Sequence, residues 1–134
     1  MIPRGGSWSI GFGSTDPGPR SRNEDSFCAA PPVYIVADGM GGHAAGAAAS
    51  AAVIEAFVPL VGRGPVTPED VAAAVERAQL NVLEVSKSVG GHSGSTLTGV
   101  VAVEHNGEPW WMVINVGDYR VYRLSDGIIT QLTV

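Results

Sequence analysis

A chain of 134 residues with 45% apolar and 16% charged side chains can build one domain with a real core, but not two. Those proportions exclude a disordered polymer, and a net charge of −5 with no Lys/Arg-rich stripe argues against nucleic-acid binding. Cys28 is the single cysteine, so no internal disulfide forms; this suits a reducing compartment, and without a charged-then-apolar N-terminal signal the expected location is the cytoplasm.

Residues 1–6 read as a flexible leader, because Pro3, Gly5 and Gly6 discourage regular structure, and residues 7–134 as one domain. Ser7 to Ser14 alternates enough for a strand, and Thr15-Asp16-Pro17-Gly18-Pro19 is a loop. Asp25 to Ala29 and Val33 to Ala37 read as strands joined at Pro31-Pro32. Ala44 to Leu60 predicts a helix with Val53, Ile54, Phe57 and Val58 on one side. Glu55 and Pro59 interrupt it and its side chains are small, so it is no membrane span.

A second helix is signalled by Thr67 as cap, Pro68 at the first position and Asp70 three residues after the cap. Val71, Val75, Ala78, Val82 and Val85 recur at helical spacing as its buried stripe. Beyond Ser95 the pattern switches to strands. Thr96 to Glu104 and Trp110 to Val116 flank Asn106-Gly107, while Tyr119 to Leu124 and Ile128 to Leu132 flank Asp126-Gly127, both strong hairpin signals. Strands, two helices and a strand meander make an α+β layered fold. Because Thr133-Val134 follows a strand directly, the expectation is a fragment with an uncovered apolar face and edge.

Chemistry concentrates in four carboxylates, Glu24, Asp25, Asp38 and Asp118, each at or beside a strand end. Carboxylate oxygens suit hard cations such as Mg²⁺ or Mn²⁺, and the glycines of Asp38-Gly39-Met40-Gly41-Gly42 let backbone approach a ligand closely. Two such cations would lower the pKa of a shared water and clamp a phosphoryl group. Arg20 has the fork that phosphate oxygens accept. Taken singly, Asp and Gly also favour turns for reasons unrelated to catalysis.

The segments Arg20-Ser21-Arg22-Asn23-Glu24-Asp25, Asp38-Gly39-Met40-Gly41-Gly42-His43, Ser93-Gly94-Ser95-Thr96 and Val116-Gly117-Asp118-Tyr119-Arg120 occur in the order and rough spacing of PP2C-type (PPM) metal-dependent serine/threonine protein phosphatases. The chain resembles the bacterial members from about Ser7 to Val134. The resemblance implies an antiparallel β-sandwich flanked by helices, in αββα layers, here as its N-terminal portion. It also implies two Mn²⁺ or Mg²⁺ ions, with an accessory third. By similarity Asp38 bridges the two metals, Glu24 and the Gly39 carbonyl bind one of them, and Asp25 holds a metal-bound water. Arg20 grips the substrate phosphate, and Asp118 is a ligand of the third metal. The implied reaction is attack of activated water on phosphoserine or phosphothreonine, with phosphorylated proteins and a cognate kinase or its substrates as partners.

Two later aspartate motifs of that family, Asp-Gly and Asp-Asn, are missing; Asp126-Gly127 is a hairpin turn and does not replace them. The chain alone is therefore expected to have little activity, and a pseudophosphatase that binds phosphoproteins without turnover is the alternative. Tyr119 stands where the family has a small serine, either narrowing the substrate groove or packing. Ala47 stands where bacterial relatives commonly carry Glu. His43 is open between a general acid and a structural residue, while His92 and His105 read as surface residues. Trp110 and Trp111 must point to opposite faces of one strand.

Overall fold

The computed structural model describes residues 1–4, 9–20, 22–42 and 44–134. Eight strands and two α-helices follow in the order β1 (Ile2–Pro3), β2 (Asp25–Ala30), β3 (Val33–Gly41), α1 (Ala45–Phe57), α2 (Pro68–Ser88), β4 (Ser93–Ser95), β5 (Leu97–His105), β6 (Glu108–Val116), β7 (Tyr122–Ser125) and β8 (Ile128–Gln131). The main sheet is antiparallel, in the order β1-β6-β5-β3-β2 with β4 also on β3, and among the described residues β7 pairs with β8 alone.

Alternation along β3 divides the sheet into two environments. Val33, Ile35, Ala37 and Gly39 are buried, whereas Tyr34, Val36 and Asp38 are not, as a strand with one face under helices requires. The buried face carries Val33, Ile35, Val101, Val103 and Ile114 against Val53, Phe57, Val71, Ala74 and Ala78 of the helices. Full burial of such side chains contributes roughly 1.5–3 kcal/mol each, so this layer is the core. Small residues dominate α1, which lets its backbone lie close to β3.

The two helices end and begin where the sequence places them. Pro59 falls in a 3₁₀ turn, Val58–Leu60, that closes α1. Ahead of α2 the Thr67 Oγ1 accepts from the Asp70 N–H at 3.2 Å, and Asp70 Oδ2 accepts from the Thr67 N–H at 2.9 Å. Arg63 Nη2 lies 2.6 Å from the same carboxylate oxygen. The Thr67 N–H first, and Arg63 next, hold the Asp70 carboxyl below the ordinary carboxylate range. Its stabilisation is therefore complete above the unfolded carboxylate pKa and is lost as pH falls through the lower folded value. Thr67→Ala is expected to cost about 1 kcal/mol and to lower the melting temperature by about 3–5 °C, read by thermal denaturation at neutral pH.

Both hairpin signals hold. Asn106 and Gly107 have φ of 53° and 75°, Asp126 and Gly127 of 52° and 76°, the positive pair that a type I′ turn demands. Trp110 and Trp111 do face opposite ways. Trp110 joins the helix-side core, and Trp111 stacks edge-on against Tyr34 at 5.9 Å with the Arg4 guanidinium 5.6 Å from its ring.

Three elements differ from the sequence reading. Within the expected leader, Ile2–Pro3 pairs with Trp110 and Trp111 of β6. Residues 9–14, expected as part of a strand, have no regular structure. They are held over β2 and β3 by side chains instead: Ser9 and Tyr34 hydroxyls bond at 2.6 Å, and Gly11 and Gly13 lie against the rings of Tyr34 and Phe27. The expected strand from Tyr119 starts only at Tyr122, because Tyr119 turns towards Asp38. The β7–β8 hairpin leaves Leu124, Ile128 and Ile129 largely exposed. Among the described residues no helix is long and apolar enough to cross a membrane.

Candidate metal and phosphate site

The site forms where β3 changes partners. Residues Val33 to Val36 pair with β5, while Gly39 to Gly41 pair with β4. Asp38 lies at the handover. Thr96, between β4 and β5, serves both of its backbone groups: Thr96 Oγ1 accepts from the Asp38 N–H at 3.0 Å, and the Thr96 N–H donates to the Asp38 carbonyl at 2.9 Å. Gly117 completes the clamp, since a side chain there would meet Thr96 Cγ2 at 2.8 Å. Sequence reading marked the Ser93–Thr96 segment but missed this role, because a threonine that braces backbone from 58 positions away leaves no local pattern.

Across the sheet Asp25 is the direct partner of Asp38 in the β2–β3 register, so the two side chains share the face away from the helices. Burial, and then contact with Asp38, pushes the Asp25 carboxyl above its ordinary value, with Arg20 pulling the other way and Glu24 adding to the rise. Asn23 Oδ1 accepts from the Asp25 N–H at 3.0 Å and fixes the entry to β2. Two carboxyl groups are thus held together on a rigid ladder.

Glu24 is placed by two glycines. The Gly39 N–H donates to the Glu24 carbonyl at 3.0 Å, and the Glu24 carboxyl folds over Gly46, where a Cβ would stand 2.6 Å from its Cδ and Oε1. Gly46 belongs to the first turn of α1, the positive end of the helix dipole. A Cβ on Gly39 would collide with the Gly46 carbonyl. The Gly39/Gly46 contact therefore lets α1 come down onto β3 and opens the cradle in which Glu24 lies.

A third strand of contact comes from Tyr119, whose hydroxyl donates to Asp38 Oδ2 at 2.5 Å. That bond, more than burial, pushes the phenol pKa up to about 12. Arg20, Arg22, Asn23, Glu24, Asp25, Asp38 and Tyr119 line a polar cleft of about 180 Å³. A neighbouring cleft of about 190 Å³ shares Asp25, Asp38 and Tyr119 but is walled by Phe27 and Val36. Charged groups and an apolar shelf therefore meet at one pair of aspartates.

Among the residues expected at the site, Asp25 and Asp38 pair across the ladder, Glu24 lines the same cleft, and Arg20 is exposed beside them with its charge reaching Asp25. Gly39 is buried in the β3–β4 ladder. Asp118 is exposed on the 117–120 segment next to Tyr119. His43 lies outside the described residues. Among the described residues no group of three or more His, Cys, Asp or Glu is drawn together for a metal ion. The donors are nonetheless all oxygen, the set that Mg²⁺ and Mn²⁺ take. The cradle over Gly46 and the crowded Asp25–Asp38 pair, whose repulsion a cation relieves, fit such an ion.

The comparisons agree on one kind of protein. No protein-family model matches the chain. It is 34% identical over 119 residues to the serine/threonine protein phosphatase PstP of Mycobacterium tuberculosis, across 85% of this chain and 22% of that protein. Its fold is similar to the crystal structure of M. tuberculosis PstP/Ppp, with a TM-score of 0.75 at 32% identity, covering 94% of this chain and 51% of that one. The PstP catalytic domain in complex with two manganese ions gives a TM-score of 0.74 at 32% identity, over 93% of this chain and 52% of that one. The chain spans about half of these solved chains and less than a quarter of the full-length relative.

Proposed function

Because the chain belongs, by sequence and fold, to the PP2C-type (PPM) serine/threonine phosphatases and corresponds to the N-terminal part of their catalytic domain, we propose that it contributes to hydrolysis of phosphoserine and phosphothreonine in proteins. The observation that carries this reading is the pairing of Asp25 with Asp38 across β2–β3, with Glu24 seated in the Gly46 cradle beside them. Two Mn²⁺ or Mg²⁺ ions, with an accessory third, would supply an activated water and offset charge on the phosphoryl group. Asp38 and Glu24, with the Gly39 carbonyl, would hold the pair, and Asp118 the third.

The remaining roles belong to side chains already on the cleft. Arg20 binds the phosphate through two parallel N–H donors, which orients the phosphorus towards the aspartates. Asp25 accepts a hydrogen bond from the attacking water and fixes its direction. The shelf of Phe27 and Val36 takes the apolar flank of the substrate peptide. His43, which lies outside the described residues, is the candidate acid towards the leaving alkoxide, with a structural residue as the alternative. Its partners would be phosphorylated proteins of the cytoplasm, together with a cognate kinase or that kinase's substrates.

A second reading has one observation in its favour. The described residues gather no three metal-binding side chains, which fits a module that binds phosphoproteins without turnover; on the first reading the 134 residues alone, without the family's later aspartates, would turn over little. Hydrolysis of a phosphothreonine peptide by the full-length protein, with Mn²⁺ and with the metal removed by chelation, separates the two. Phosphate release that requires Mn²⁺ is the expected result; peptide binding without release in either condition supports the second reading.

A further inference from the structure

Among the described residues Tyr119 is the side chain outside the acidic group whose hydrogen bond goes to the Asp38 carboxylate itself. Its hydroxyl donates to Asp38 Oδ2, and a phenol donating to a carboxylate makes a charge-assisted bond. The residue belongs to the 117–120 segment, which has no helix or strand structure and stands at the cleft wall. Asp38 itself is braced through its backbone by Thr96, so its Cα keeps its place at the cleft while the strand is intact.

We propose that Tyr119 sets the metal affinity of the site by occupying the Asp38 oxygen that a cation must take. This rests on the proposed role of Asp38 as a bridge between two ions. A bridging carboxylate would use both oxygens, and the phenol already takes one of the two lone pairs of Oδ2, so its ring crowds the approach of a second ion to that oxygen. Asp38 is paired with Asp25 across the ladder and bonded at Oδ2 to Tyr119, and an incoming cation relieves the first contact but must displace the second. Metal entry and displacement of the Tyr119 ring are then a single event, and the ring moves along the wall between the polar cleft and the Phe27–Val36 shelf. A serine hydroxyl is too short to reach Asp38 from the same backbone position, so the tyrosine adds a contact that a small residue would not.

Calorimetric titration of the full-length protein with MnCl₂, at fixed pH and salt, tests this without reference to activity. Tyr119→Phe keeps the ring and removes the bond; at an exposed position in an irregular segment it leaves folding unchanged. The variant is expected to bind Mn²⁺ about tenfold more tightly than wild type, the loss of one hydrogen bond to a charged group, and Tyr119→Ser should shift in the same direction. Equal or weaker binding by Tyr119→Phe, alongside wild-type binding that Asp38→Asn abolishes, overturns the competition while leaving the metal site standing. Absence of any Mn²⁺ binding that depends on Asp38, in wild type and in Tyr119→Phe alike, overturns both.

Discussion

Asp38→Asn is expected to reduce Mn²⁺-dependent phosphopeptide hydrolysis by the full-length protein at least about 100-fold, beyond the 10- to 100-fold typical of losing a residue that merely supports a metal ligand. The substitution preserves shape, and the Asn carbonyl oxygen still accepts from Tyr119. The Thr96 bonds involve only backbone of residue 38 and one hydroxyl, so β3 keeps its place. Removing the charge also ends the repulsion that adds to burial in raising the Asp25 carboxyl, so the metal-free variant should melt no lower than wild type. Activity lost at unchanged melting temperature is the expected pair of readings. Activity retained within threefold would remove Asp38 from the chemistry.

The second large effect separates scaffold from site with two glycines. A Cβ at Gly39 meets the backbone carbonyl of Gly46, and backbone cannot rotate away as a side chain can. Helix α1 must lift from β3, so Gly39→Ala is expected to cost about 3 kcal/mol or more, a fall of about 10 °C in melting temperature for a domain of this size. At Gly46 the collision is with the carboxyl end of Glu24, which can swing out. There alanine gains up to about 1 kcal/mol of helix propensity, so Gly46→Ala should fold at least as well as wild type. It should bind Mn²⁺ about 10- to 100-fold more weakly, because Glu24 is displaced from its cradle. Thermal melts and calorimetry on both variants check the contrast; a Gly46→Ala protein that binds Mn²⁺ like wild type would show that Glu24 is not a ligand.

Local signals made much of the fold legible. Thr67-Pro68-Glu69-Asp70 announced α2 through groups that bond within one turn, and Asn106-Gly107 and Asp126-Gly127 announced their hairpins because only residues tolerant of positive φ fit there. What stayed hidden depends on distant partners. Ile2–Pro3 forms a strand only because β6 offers an edge, and residues 9–14 lose theirs to side-chain bonds with Tyr34 and contacts with Phe27. The extension of β3 to Gly41 is set by β4, three residues with no strand propensity of their own.

The candidate site was legible to the same limit. The motifs single out Glu24, Asp25 and Asp38 as candidates, and the register of β2 on β3 brings Asp25 and Asp38 to one face. Thr96 and Gly46 were missed as site-builders because each acts through geometry that folding creates, one by bracing backbone and one by having no side chain. Tyr119 was noticed as an unusual residue, yet its bond to Asp38 spans 81 positions and no spacing rule foretells it.

Crystals of the full-length protein grown with Mn²⁺, measured at the manganese absorption edge, test the site itself. Anomalous density bonded to both Asp38 and Glu24, with Asp25 within reach of a coordinated water, is the predicted result. Manganese found only elsewhere, with Asp38 still bonded to Tyr119 and Glu24 still folded against Gly46, would contradict it.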